Sequence, residues 1–187
     1  RSSLVTGVQT CALPILELLL NELSKKISQQ RKKVIPVLKS QMEKLLRDMG
    51  MVNTSFKIEL YDSDIFLNKG RDKLLFNFSA NKGGPLGPLS KTASGGELSR
   101  IMLALKSILS NYKNLPTIIF DEIDTGVSGE IANCIGRIMK SMSINMQVIS
   151  ITHLPQVAAK ANNHLKVFKV TRNEKTSTEL KNLNFNE

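Results

Sequence analysis

The chain has 187 residues, 41% of them apolar, with 26 Lys and Arg against 16 Asp and Glu for a formal charge of +10. That length suits about one domain with a core of its own, and no apolar run approaches a membrane span, since Ile15 to Leu20 is interrupted by Glu17. The basic balance points to an acidic partner, nucleic acid first, although a solvated helix face gives the same balance, and the absence of Trp leaves no evident stacking platform for single strands.

Residues 1–15, RSSLVTGVQTCALPI, match neither a helical nor a strand period and do not lead into the pattern that begins at Leu16. They resemble translated sequencing adapter, with a flexible native N-terminus as the alternative, and contribute nothing to the expected fold. There is no signal-peptide pattern in them. Cys11 falls in this leader and Cys134 far from it, with no CxxC spacing, so both are expected as unbridged thiols in a reducing cytoplasm.

From Leu16 the pattern changes. Leu16, Leu20, Leu23, Ile27, Gln30, Val34 and Val37 alternate spacings of four and three, the seam of a coiled coil, with Lys25, Lys26, Arg31, Lys32, Lys33 and Lys39 on the other faces. The seam continues through Leu38, Met42, Leu45 and Met49, shifted by one residue just after Pro36, where a lost hydrogen bond bends a helix. Gly50 is expected to end it. The run exceeds what the surface helix of a small domain needs, so residues 16–50 are expected to be the stub of a coiled-coil arm and 51–187 a separate globular lobe.

FKIEL and KLLFNFSA read as strands joined by a polar turn, and the Gly- and Pro-rich stretch NKGGPLGPLSKTASGG as a long, functional loop. A helix is expected from about Gly96 to Ser110 and another from Glu130 to Met142, the second lying between the apolar runs TIIF and QVISIT. Strand, helix, strand in that order predicts an α/β fold in which the two strands are parallel and buried. Ligands in such sheets bind at the carboxyl ends of the strands, where Asp121, Glu122 and His153 would gather. HLKVFKV and STELKNL are expected to close the fold as strands.

The chemistry-bearing residues are fixed by these placements. Asp121 is placed to hold Mg²⁺ and Glu122 to orient or deprotonate water, although two surface acids capping a strand give the same short pattern. Ser94 can cap the helix that begins at Gly95-Gly96, and backbone N–H groups there can bind a phosphate; an ordinary glycine turn is the plainer alternative. A lone His is most often structural, and His153 gains weight only from the neighbouring acids, while His164 has no such context. A nucleotide site also needs a phosphate loop GxxxxGK[ST], and the chain contains no Gly-Lys pair.

ASGGELSR, IIFDEID and ITHLPQVA, in that order and at these intervals, resemble the ATP-binding-cassette heads of the SMC/Rad50 class, and DEIDTGVSGEIA, THLPQVAAKA and FNFSANKGG resemble the RecN family of bacterial DNA-repair ATPases within it. The resemblance covers nearly everything after residue 15. It implies the C-terminal lobe of an ABC-type (P-loop NTPase) head with a coiled-coil stub, the phosphate loop lying on an N-terminal lobe, and two heads sandwiching two ATP molecules. Ser94, Gly95, Gly96 and Glu97 would then bind the ATP of the opposing head, Asp121 the Mg²⁺, Glu122 would be the catalytic base and His153 the switch histidine. Asp124 to Ser128 would form the loop that crosses between heads, with Ser128-Gly129 where many of the wider class have Asp. The implied partners are the N-terminal lobe, a second head and DNA, with no membrane, in the bacterial cytoplasm at the nucleoid. A coiled-coil DNA-bridging scaffold without enzymatic activity, or another SMC-class ATPase, are the alternatives; three intact residues at the strand ends argue against the first, and DTGVSGE with THLPQ against the second. An exposed sheet edge and apolar face are expected to make the lone chain self-associate.

Overall fold

A computed structural model of the chain describes residues 5–112, 115–124, 126–172 and 174–184, with side chains from residue 12 onward. The chain divides into two compact units, residues 1–47 with 51–98 and residues 48–50 with 99–187. This grouping cuts across the expected boundary at residue 50, because the long helix is tied to the strands next after it in the chain.

The first unit is built on α1 (Val5–Asp48), which carries both Pro14 and Pro36 within it. The backbone from Val5 is thus helical through most of the expected leader, whose first four residues, and the side chain of Cys11, lie outside the described ones. The seam positions Leu16, Leu20, Leu23, Ile27, Val34 and Val37 are all exposed, whereas Met42 and Leu46 beyond Pro36 are buried. The apolar stripe therefore stands uncovered along the first part of the helix, while the last turns belong to a core.

The same unit holds a sheet in the order β1 (Ser55–Leu67), β2 (Gly70–Ser79), β3 (Gly87–Pro88). β1 and β2 form an antiparallel hairpin whose register shifts between Asp62 and Leu67. Opposed residues Phe56 and Phe78 are buried with ring centroids 5.2 Å apart. Such a pair adds about 0.5–1.5 kcal/mol to the burial of its area. A polar clasp fastens α1 to the hairpin. Ser28 Oγ and Arg31 Nη1 each donate to the Asp72 carboxylate at 2.6 Å, Arg31 Nη2 donates to the Lys69 carbonyl at 2.8 Å, and Arg71 donates to Asn21 at 3.2 Å. The expected long loop holds the β3 bridge and a single turn, α2 (Leu89–Thr92).

The second unit opens with residues 48–50, where Gly50, at a φ of +81°, makes the left-handed turn that ends α1. It holds most of α3 (Gly95–Ser110), and then β4 (Thr117–Asp121), α4 (Gly129–Met142) and β5 (Gln147–Ile151). β4 and β5 pair in parallel, as the strand–helix–strand order predicts. The expected burial is met on one face alone. Phe120 is buried and Ile118 and Val148 half-buried, but Ile119, Ile149 and Ile151 are 62%, 42% and 53% exposed. A parallel sheet needs cover on both faces, and the residues of this unit supply it on one.

α4 starts at Ser128, whose hydroxyl accepts from the Ile131 amide, and buries Ala132, Ile135, Met139 and Met142 along one stripe. Gly136 lets the short helix α5 (Pro155–Ala158) approach, since a Cβ there would lie 3.3 Å from the Gln156 carbonyl oxygen and 2.9 Å from Lys160 Cγ. Cys134 is a buried, unbridged thiol on the same helix. β6 (Leu165–Arg172) and β7 (Lys175–Asn182) form a closing antiparallel hairpin. His164 donates from Nε2 to the Ala158 carbonyl at 2.8 Å, a structural bond of the kind expected of it.

Candidate active site

Parallel pairing brings two strand ends together. Asp121 closes β4 opposite Ile151, the last residue of β5, and the Glu122 amide donates to the Ile151 carbonyl at 3.0 Å. Thr152 and His153 come directly after, so Asp121, Glu122 and His153 lie on one carboxyl edge, all exposed. The apolar runs account for this. β4 is apolar from Ile118 to Phe120, β5 carries a single polar residue, Ser150, between Val148 and Ile151, and the clustered polar side chains stand where the pairing ends.

Glu122 has φ +45°, in the left-handed region that a non-glycine residue seldom occupies. Such backbone costs about 1–3 kcal/mol and gathers at functional sites. The turn moves the chain off the strand direction at once, so that Asp121 and Glu122 do not simply alternate as strand neighbours.

Asp124 is the first residue of the expected crossing loop. It is 1% exposed, and its Oδ2 accepts from the Thr152 hydroxyl. Its other oxygen is buried without a hydrogen-bond partner among the described residues. Thr152 Oγ1 in turn accepts from the Leu154 amide at 3.0 Å, a short loop of hydrogen bonds around His153. Ser128, the far end of the expected crossing loop, is exposed and caps α4.

The glycine loop closes on itself. The Ser94 amide and hydroxyl donate to Glu97 Oε2 at 2.8 and 2.9 Å, and the Glu97 amide donates back to Ser94 Oγ at 3.4 Å. This is a reciprocal capping box, for which Ser-x-x-Glu is the sequence signature. Ser94 caps the helix as expected. Glu97, expected to meet a nucleotide, places its carboxylate at the helix start and meets Ser94. Gly95 has open space where a side chain would stand. This loop, residues 94–98, belongs to the first unit and the strand ends to the second.

A magnesium ion takes one or two carboxylates and completes its shell with water and phosphate oxygens. No cluster of three His, Cys, Asp or Glu exists among the described residues. The exposed Asp121 carboxylate therefore fits a single ligand of a nucleotide-borne Mg²⁺ and not a cage made by protein alone. One residue with a place in this site, Thr152, was missed in the sequence. It carried a signal, standing between an apolar strand and His153; Gln156, three residues after His153 in the same THLPQ run, has an Oε1 buried without a hydrogen-bond partner among the described residues.

The chain aligns over 97% of its length with the Smc head domain with a coiled coil and joint from Pyrococcus yayanosii, at a TM-score of 0.69 and 19% identity, covering 33% of that chain. It aligns over 95% with the Smc head with an extended coiled coil bound to the C-terminal domain of ScpA from Pyrococcus furiosus, at 0.61 and 18%, covering 42% of that chain. No protein-family model matches. The fold is α/β, that of the C-terminal lobe of an SMC-type ABC ATPase head with its coiled-coil helix.

Among curated proteins the chain is 42% identical over 157 residues to the DNA repair protein RecN of Halalkalibacterium halodurans, covering 82% of the chain and 28% of that protein. It is 52% identical over 115 residues to RecN of Bacillus subtilis, covering 62% and 20%, and 41% identical over 166 residues to RecN of Rickettsia conorii, covering 89% and 30%. The chain belongs to the RecN family, and spans less than a third of the length of these relatives.

Proposed function

We propose that this chain is the C-terminal half of an ATPase head acting in recombinational repair of DNA double-strand breaks. The observation that carries the reading is the junction of the two strand ends, where the Glu122 amide bonds to Ile151 and three polar residues of hydrolytic type share an edge. The relatives' shared name, DNA repair protein RecN, supports the repair role. An SMC ATPase chain studied for ATP-driven dimerization and DNA-stimulated activation, aligned over 84% of this chain at a TM-score of 0.52, has the same fold.

Bound ATP and Mg²⁺ would supply the phosphoryl group and the cation that offsets its charge. Asp121 would hold the Mg²⁺ as one ligand. Glu122, set off from the strand by its left-handed backbone, would orient an attacking water and accept its proton, and His153 would contact the terminal phosphate. Ser94, Gly95 and Gly96 would meet the ATP of an opposing head through the amides of the α3 start, with Glu97 fixing the Ser94 rotamer. Asp124 and Ser128 would root the two ends of the crossing loop. The chain carries no phosphate loop, so the nucleotide would be cradled by an N-terminal lobe and the lone chain is expected to be inactive. Heads would pair as a homodimer, and the charge of +10 suits DNA. No helix of the described residues is long and apolar enough to cross a membrane, and the proposed setting is the bacterial cytoplasm, at the nucleoid.

The test is ATP hydrolysis by the chain mixed with a separately expressed N-terminal lobe. Turnover should need both lobes and fall at least about 100-fold in Glu122→Gln, the range of a lost general base. A tight complex that hydrolyses no ATP in either version would overturn the enzyme reading in favour of a DNA-bridging scaffold.

A further inference from the structure

Asp124 is a carboxylate at 1% exposure with one oxygen on a neutral hydroxyl and the other unpartnered among the described residues, and it takes part in none of the ion pairs found among them. A carboxyl oxygen buried without a hydrogen-bond partner costs free energy. Stability alone does not explain it. Its one bond, however, joins two loops that each carry a residue of the proposed reaction. Asp124 lies two residues after Glu122, and Thr152 lies immediately before His153.

We infer that Asp124 and Thr152 are a pair of positioning residues that couple the loop bearing Glu122 to the loop bearing His153. The Thr152 hydroxyl does this with both of its functions. It donates to Asp124 and accepts from the Leu154 amide, so the backbone on either side of His153 turns about one oxygen atom. The Glu122 amide bond to Ile151 spans the same two strand ends one residue earlier. Glu122 and His153 are thus set by two successive cross-connections, one of backbone and one of side chains, and a shift of either loop is passed to the other.

The inference rests on the proposed ATPase reading, and its test separates the two. In the head assembled from both lobes, Thr152→Val removes the hydroxyl at constant shape and Thr152→Ser restores it. The expected result is a kcat lowered by about 10- to 100-fold in Thr152→Val, the scale of a misplaced catalytic group. KM for ATP should stay within about twofold, because the pair sets residues that act in the reaction step. Thr152→Ser should recover most of the rate, which a packing defect would not allow. Amide exchange at residues 126–128 should be faster in Thr152→Val than in wild type and Thr152→Ser. Thr152→Val with an unchanged kcat and unchanged exchange would overturn the coupling, as would a Ser variant no better than Val. Should the Val variant not fold, Thr152→Ala takes its place with the same expectations. Glu122→Gln is the control. If that variant hydrolyses ATP like wild type, the assignment of Glu122 as base fails; if neither version hydrolyses ATP, the ATPase reading fails, and the exchange comparison alone then decides whether the two loops are coupled.

Discussion

Asp72 shows how a single carboxylate can fasten an arm to a head. Burial pushes its acidity towards the neutral form, but the hydrogen bonds from Ser28 and Arg31, with the charges of Arg31 and Lys32, outweigh this and hold its pKa below the ordinary value. A depressed carboxylate pKa stabilises the fold above its unfolded value, near 4, and that contribution is lost as the pH falls through the folded value. Asp72→Asn should therefore cost about 1–3 kcal/mol at pH 7, the worth of hydrogen bonds to a charged group. The gap to wild type should shrink below about pH 4. Urea unfolding followed by circular dichroism at pH 7 and pH 3 measures both. A gap that persists at pH 3 would assign the effect to packing.

Residues at element ends were the legible ones. Asp121, Glu122 and His153 could be read because each comes after an apolar run whose period dictates where the strand stops. Glu97 and Asp124 could not be read in the same way. The Ser-x-x-Glu spacing serves a capping box as well as a phosphate loop, and nothing in a row of letters tells that Asp124 turns inward to a threonine 28 positions on.

Among the elements, α1 begins at Val5, ahead of its expected start at Leu16, and the short α2 and α5 had no expected counterpart. Two helices were legible to within a residue: Gly95–Ser110 and Gly129–Met142 stand where their apolar periods put them. Their caps explain this, with Ser94 and Ser128 at the starts and Gly50 at the end of α1. Ser94→Ala should destabilise by about 1 kcal/mol through loss of the capping box, read as a lower thermal midpoint, and a midpoint equal to wild type would mean that Glu97 does not depend on Ser94. Gly50→Ala should cost at least about 1 kcal/mol, since a Cβ at φ +81° is strained and would also stand 2.5 Å from the Ile131 side chain. The strands were less legible in their environment than in their existence. Continuous apolar runs announce burial on both faces, and the described residues cover only one.

At the scale of the molecule, the exposed face of β4 and β5, with Ile119, Ile149 and Ile151, and the outer edges of that two-stranded sheet, unpaired among the described residues, invite association. Sedimentation of the lone chain should show a mass that rises with concentration. Adding the N-terminal lobe, or replacing Ile119 and Ile149 by Lys, should lower it. Association untouched by either would move the sticky surface to the exposed seam of α1.

That seam belongs to a rod. From Leu16 to Arg31 the helix rises about 22 Å at 1.5 Å per residue. Arg31 and Ser28, bound to Asp72 on the β1–β2 hairpin, stand at its near end. They are a fulcrum: a tilt of about ten degrees at the clasp carries Leu16 sideways by roughly 4 Å over that length. Force applied along the arm thus reaches the hairpin at Asn21, bonded to Arg71, and is taken up at the Asp72 carboxylate, and movement of the hairpin is magnified on its way out.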